Sequence, residues 1–121
     1  MIFVSYSWID FSIAHSLKEY FDILGYRTWI DRDNLDLAAP LEKQIMQAVR
    51  HASILLFLDS SNSRLSNWVR QELIWADNAG VKIVNWPVAL IKRKLYRHVL
   101  PISVYNLNLP SHSQKIKERK L

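Results

Sequence analysis

The stretch Ser53-Ile54-Leu55-Leu56-Phe57-Leu58-Asp59, followed by Ser66-Asn67-Trp68-Val69-Arg70-Gln71-Glu72-Leu73, decides the fold. The first segment is an apolar run too short for a helix and closed by polar turn residues. That is the pattern of a strand buried on both faces. After the polar connection Ser60-Ser61-Asn62-Ser63, a helix is expected near Ser66 or Asn67, either of which can accept a hydrogen bond from an orphan N–H. On that helix Trp68, Glu72, Trp75, Ala76 and Ala79 recur at spacings of three and four and so share a face. A carboxylate in a row of tryptophan and alanine needs a reason, because glutamate rarely meets an apolar face unless it is paired or used.

The same strand–helix alternation extends in both directions. Upstream, Ile2 to Tyr6 reads as a first strand, and Ser7-Trp8-Ile9-Asp10 has the Ser-x-x-acid pattern of a capping box. The helix that follows carries Ile9, Ile13, Leu17, Tyr20, Phe21 and Leu24 on one stripe and stops at Gly25. Tyr26 to Ile30 reads as a second strand ending in Asp31. A polar loop from Arg32 to Asp36 leads to Pro40, which suits a first helical turn, and Leu41, Ile45, Ala48 and Val49 are expected to face the core. Downstream, Gly80 closes the Glu72 helix and Val81 to Trp86 forms a fourth strand stopped by Pro87. A short basic helix between Val88 and Leu100, a fifth strand over Ile102–Tyr105 and a last helix from Ser111 to Leu121 complete the expectation.

Alternating strands and helices imply right-handed βαβ units, hence a parallel sheet with helices on both faces. The ligand crevice of such a fold lies at the carboxyl ends of the strands. Those ends supply Ser5, Tyr6 and Ser7, then Asp31, Asp59, Ser60 and Ser61, and finally Asn85 and Trp86. Glu72, about one and a half turns into its helix, faces the same crevice if that helix starts at the upper edge of the sheet.

With 121 residues, 50% of them hydrophobic and 22% charged, the chain is expected to form one globular domain over 1–121. There is no cysteine, which fits a reducing compartment. No apolar run approaches the roughly 20 residues that span a bilayer. The first residues lack the basic and long apolar regions of a signal peptide, so a cytoplasmic protein without membrane partners is expected. The net charge of +5 concentrates in Lys92, Arg93, Lys94, Arg97 and His98 and in Lys115, Lys117, Arg119 and Lys120. No nucleic-acid motif accompanies these clusters; they read as a solvated helix face and a basic tail, and nucleic acid is not expected as a partner.

Counting excludes several sites. Two glycines, Gly25 and Gly80, permit neither a dinucleotide fingerprint nor a P-loop. The four histidines lack ligand spacing, so no metal is expected, and no Gly-x-Ser-x-Gly elbow is present. A phosphorelay receiver would need an acidic pair after the first strand and a lysine after the fifth. Here Ser5-Tyr6-Ser7 and Ser103-Val104-Tyr105 stand instead, so Asp59 reads as a strand-end cap or turn residue. What remains is one carboxylate among aromatics, an arrangement suited to a cationic sugar centre at a breaking glycosidic bond, with rings to stack on a flat base. The competing reading is structural: Glu72 pairs with Arg27, Arg64 or Arg70, and the tryptophans are core.

These residues resemble the Toll/interleukin-receptor (TIR) domain family. Phe3-Val4-Ser5-Tyr6-Ser7 with Asp10, Leu17 and Gly25 through Asp31 resembles its first strand, helix and second strand. Leu35 to Ile45 resembles its BB loop and following helix. Ser60-x5-Ser66-x-Trp68-Val69-x2-Glu72-Leu73 resembles its most diagnostic block. The resemblance implies a flavodoxin-like three-layer fold with five parallel strands and, as in many bacterial and plant members, cleavage of NAD at the nicotinamide–ribose bond. It implies Glu72 as catalytic residue, Tyr6 and Ser7 on the nicotinamide side, Asp31 at the BB-loop edge and Trp68 as the wall beside Glu72. NAD is then a substrate and no cofactor is implied. Self-association is expected, and a stand-alone bacterial chain of this kind resembles components of anti-phage defence, depleting NAD or making a nucleotide signal for a separate effector. Other members only associate as scaffolds, and a nucleoside deoxyribosyltransferase-like enzyme uses a related fold with a glutamate on a ribosyl centre. The chain departs from the family pattern at Ala38-Ala39-Pro40, where a BB-loop glycine is common, and at Ser7, where a basic or other polar residue often follows the tyrosine.

Overall fold

The computed structural model describes residues 1–31 and 38–91. Its elements are β1 (Ile2–Ser5), a 3-10 turn (Trp8–Asp10), α1 (Phe11–Ile23), β2 (Thr28–Trp29), α2 (Leu41–His51), β3 (Ile54–Asp59), the short α3 (Ser61–Arg64), α4 (Asn67–Asn78) and β4 (Lys82–Pro87). The four described strands are all parallel in the order β2-β1-β3-β4. The expected fifth strand and last helix, and most of the basic helix, fall outside the described residues; residues 88–91 are helical.

Strand alternation sorts the core into two layers. Ile2, Val4 and Tyr6 of the first strand, with Ile54, Leu56 and Leu58 of β3, pack against Ile13, Ala14, Leu17 and Phe21 of α1. Phe3 and Leu55 point the other way, to Ile45 and Val49 of α2 and Trp75 and Ala76 of α4. The sheet is therefore the middle of three layers, as the continuous apolar reading of β3 requires. Gly25 (φ 84°) and Gly80 (φ 70°) end α1 and α4 in the left-handed region. Tyr26 N–H donates to the Phe21 carbonyl and Val81 N–H to that of Ala76, the bonding of a helix stop that glycine makes without steric cost.

Several local expectations need correction. Ile9 is 77% exposed because the chain makes a 3-10 turn before α1, which rotates it off the core stripe. Leu41 is also exposed, at the first turn of α2. The second strand is only Thr28–Trp29, shorter than Tyr26–Ile30, as an edge strand needs pairing on one side alone. The polar connection after β3 is itself helical: Ser60 and Ser63 cap each other reciprocally and open α3. On α4, Ala79 and Trp68 leave the predicted face, the first exposed and the second 49% exposed, whereas Glu72, Trp75 and Ala76 are buried.

Candidate active site at the carboxyl ends of the strands

Ser5 ends β1 and is fully buried on the α4 side of the sheet, two residues beyond Phe3. A hydroxyl there needs a partner. It donates to Glu72 Oε1 at 2.8 Å. Glu72 reaches that point because α4 starts level with the strand ends, where Ser66 Oγ accepts from Val69 N–H at 3.3 Å and fixes the helix start. Its side chain is 2% exposed, and Oε2 has no hydrogen-bond partner among the described residues. None of the three arginines expected to pair with it does so: Arg27 and Arg70 are exposed, and Arg64 binds Asp59 through Nε at 2.6 Å and Nη2 at 3.0 Å. The ion-pair account of Glu72 is overturned.

Asp31 lies on the same side. It follows β2 by two residues, beyond the last ladder pair, Phe3 with Trp29, and its charge acts on Glu72. Asp31 is 7% exposed; the Trp8 indole N–H donates to its carboxylate, and its Oδ1 has no partner among the described residues. Burial, only partly offset by the Trp8 bond, pushes Asp31 up to about 6. Burial also drives Glu72 well above the ordinary carboxylate range; the Asp31 charge adds to this, and the Ser5 hydrogen bond opposes it. The site therefore holds two carboxyl groups whose ionisation burial disfavours, with no neutralising cation acting on either among the described residues.

The remaining predicted residues divide. Tyr6 is buried at the end of β1 but on the α1 side, its ring 6.4 Å from Phe11. Ser7 caps the 3-10 turn, Oγ accepting from Ile9 N–H at 3.4 Å. Trp68 is half-exposed, a rim group instead of a buried wall. Asp59, as expected of a strand-end residue, serves structure, accepting from Arg64 and from Asn85 Nδ2 at 3.3 Å. Asp10 does not complete a capping box with Ser7; its Oδ2 accepts from Ser60 Oγ at 2.6 Å and ties the turns after β1 and β3 together beside the crevice. Sequence reading puts Ser5 at the crevice without a role and does not point to Trp8; a lone hydroxyl in a strand buried on both faces is the signal that marks Ser5. A separate groove of about 370 Å³, lined by Met1, Trp29, Gln44, Gln47, Ala48 and His51, lies towards the amino ends of the strands and takes no part in this cluster.

Comparison with known proteins agrees with this architecture. A family model described as the TIR domain matches residues 2–116. Among solved structures, the TIR domain of the Toll-related receptor TRR-2 from Hydra magnipapillata superposes with a TM-score of 0.63 at 14% identity. The alignment covers 69% of this chain and 66% of the Hydra chain, and at that identity it speaks for the fold alone. No curated protein matches the sequence significantly. Among the described residues no helix is long and apolar enough to cross a membrane, and no group of histidine and carboxylate side chains could hold a metal ion.

Proposed function

Because the chain belongs to the TIR domain family, we propose that it cleaves NAD at the nicotinamide–ribose bond, with Glu72 as the catalytic residue. The observation that carries this is a nearly inaccessible carboxylate with one oxygen fixed by Ser5 and the other unpartnered among the described residues. When the bond breaks, its electron pair passes to the nicotinamide nitrogen and discharges the pyridinium, while positive charge develops on the ribose. A preorganised carboxylate stabilises that charge more in the transition state than in the ground state. Water then adds to the sugar carbon and loses a proton to give ADP-ribose, or a nucleophile on the ADP-ribose closes a ring. In this reading Ser7 borders the nicotinamide side, Tyr6, buried in the opposite layer, supports that edge from behind, Asp31 stands at the BB-loop edge, and the half-exposed Trp68 offers a face for stacking. The downstream role that fits is depletion of NAD or release of an ADP-ribose-type signal, as in anti-phage defence.

The test is nicotinamide release from NAD, followed by chromatography. Glu72→Gln keeps the shape and removes the charge, so turnover should drop by about 10²–10³-fold, the usual loss for one transition-state contact. Equal release from both proteins would defeat the assignment.

A second reading, assembly through this same end of the molecule, draws on the exposed Trp8, Ile9, Leu65 and Trp68, which follow the carboxyl ends of β1 and β3. It predicts self-association that survives Glu72→Gln, read by sedimentation velocity. Activity that rises more steeply than protein concentration would join the two readings.

A further inference from the structure

We propose that Ser5 is a positioning residue for the reaction proposed above: its hydroxyl, set by β1, holds Glu72 through Oε1 and leaves Oε2 as the oxygen that meets the ribosyl centre. Ser5 has this role only if NAD is the substrate; its contact with Glu72 belongs to the fold in either case.

Both ends of the contact are anchored. Ser5 lies in a strand covered on both faces, where it registers with Phe57 of β3 and is wholly inaccessible. Serine is short, so the strand itself places the hydroxyl. Glu72 stands on α4, whose start is capped by Ser66. The hydroxyl donates to Glu72 Oε1 at 2.8 Å across 67 residues of sequence. A carboxylate held between a strand and a capped helix is placed more precisely than one on a loop.

The contact does more than satisfy a buried hydroxyl. Serine commonly bonds to nearby backbone groups, and an apolar residue at position 5 would need no partner at all. Here the acceptor is a group whose charged form is costly to bury. Its other oxygen, Oε2, has no hydrogen-bond partner among the described residues. Fixing Oε1 therefore restricts rotation of the carboxyl plane and commits the open oxygen to one direction. The bond also favours the charged form, which is the form that opposes positive charge on the sugar.

Among the described residues Ser5 is the side chain that favours this charge, since the Asp31 charge works against it. Asp10 accepts from Ser60, and Asp59 from Arg64 and Asn85. Tyr6 and His15 lie in the opposite layer. The charged residues of α2, Arg70 and Asp77 of α4 and Lys82 of β4 are exposed.

The experiment is a double-mutant cycle on kcat for nicotinamide release. Ser5→Ala should lower kcat by about 10–10²-fold with KM little changed, the loss that follows when a reacting group is misplaced by about an ångström. On a Glu72→Gln background the same change should cost almost nothing, because the residue through which Ser5 acts is already disabled. Equal losses on the two backgrounds, or none on either, would overturn the role. Ser5→Thr keeps the donor but adds a methyl to a fully buried position, so it should restore most of kcat at lower thermal stability. Activity that follows stability instead, with Ser5→Thr no better than Ser5→Ala, would make Ser5 a packing residue. If Ser5→Ala does not fold, Ser5→Cys, close in size and only a weak donor, takes its place in the cycle. Titration of the ¹³C-labelled Glu72 carboxyl by NMR separates the contact from the NAD reading. Ser5→Ala should move that titration to higher pH and Ser5→Thr should leave it in place; no movement for Ser5→Ala overturns the contact. If the wild-type protein releases no nicotinamide, the NAD reading falls and the ribosyl role of Oε2 falls with it, while the titration still decides whether Ser5 holds Glu72.

Discussion

On the α1 side of the sheet, Ile2, Val4, Ile54, Leu56 and Leu58 meet Ile13, Ala14, Leu17 and Phe21, with Trp86 stacked on Phe21, the ring centroids 6.4 Å apart. On the α4 side, Phe3 and Leu55 begin in the same way, Phe3 stacking on Trp29 at 5.0 Å. Two residues further along, this second layer turns polar, with Ser5, Glu72 and Asp31 where the first still has Tyr6, Leu58 and Ile30. The same strands build both layers, so alternation alone does not account for the contrast. Apolar burial stabilises the fold on one side, whereas on the other, at the crevice end, it is given up for two carboxyls that destabilise each other's charged forms. On the function proposed above, that asymmetry sets the crevice end of the α4 layer apart from the scaffold.

The strongest way to probe the dry layer is Phe21→Ala. Phe21 is fully buried and contacts Tyr20, Tyr26 and Trp86, so truncation should remove about 3–5 kcal/mol of stability in urea unfolding. A loss below about 1 kcal/mol would mean that this layer is not the stabilising one.

Glu72→Gln should do the reverse. An activity loss of about 10²–10³-fold corresponds to about 2.7–4 kcal/mol of transition-state stabilisation, with stability held or slightly raised at neutral pH because a neutral amide replaces a strained acid. If stability collapses while turnover persists, Glu72 belongs to the core and the contrast between the layers is lost.

The pH dependence gives an intermediate effect. Asp31 moves from 3.8 to about 6, and Glu72 is also raised from 4.5, so the folded protein keeps protons that the unfolded chain has released. Stability is therefore greatest at the acid end of this window and falls as pH rises from about 4 through 6. The size is on the order of 2–3 kcal/mol, from about two pKa units at 1.36 kcal/mol each. Chemical denaturation across that window checks it. Asp31→Asn should flatten the slope, whereas Phe21→Ala should lower the whole curve without tilting it.

Much of this was legible in the sequence because period-two and period-3.6 patterns are local. Ile54 to Leu58 fixed a doubly covered strand, Gly25 and Gly80 the helix stops, and Ser66 the start of the helix that carries Glu72. The misplaced glutamate could be recognised as well, but not its partners. That Ser5 binds it depends on a contact across 67 residues of sequence, and that the Asp31 charge acts on it depends on the chain path after β2. Ile9 and Trp68 depart from the expected faces for a related reason. Helical spacing gives a relative orientation along one helix, whereas their exposure depends on where the 3-10 turn and α4 begin relative to the sheet.

Neighbouring residues of β1 supply the finest test. Val4 and Ser5 are both fully buried, face opposite layers and pair with consecutive residues of β3. Val4→Ala removes apolar packing and should act through stability alone. Ser5→Ala removes one hydrogen bond from a buried carboxyl, so its stability cost should be about 1 kcal/mol, the net value of such a bond. Its larger consequence is chemical: without the hydroxyl, the charged form of Glu72 loses its only hydrogen bond among the described residues, and the acid limb of the turnover profile should move to higher pH. A pH–rate profile that shifts for Ser5→Ala and not for Val4→Ala would locate the boundary between scaffold and site within a single peptide unit. Equal shifts would mean that the two layers are not functionally distinct.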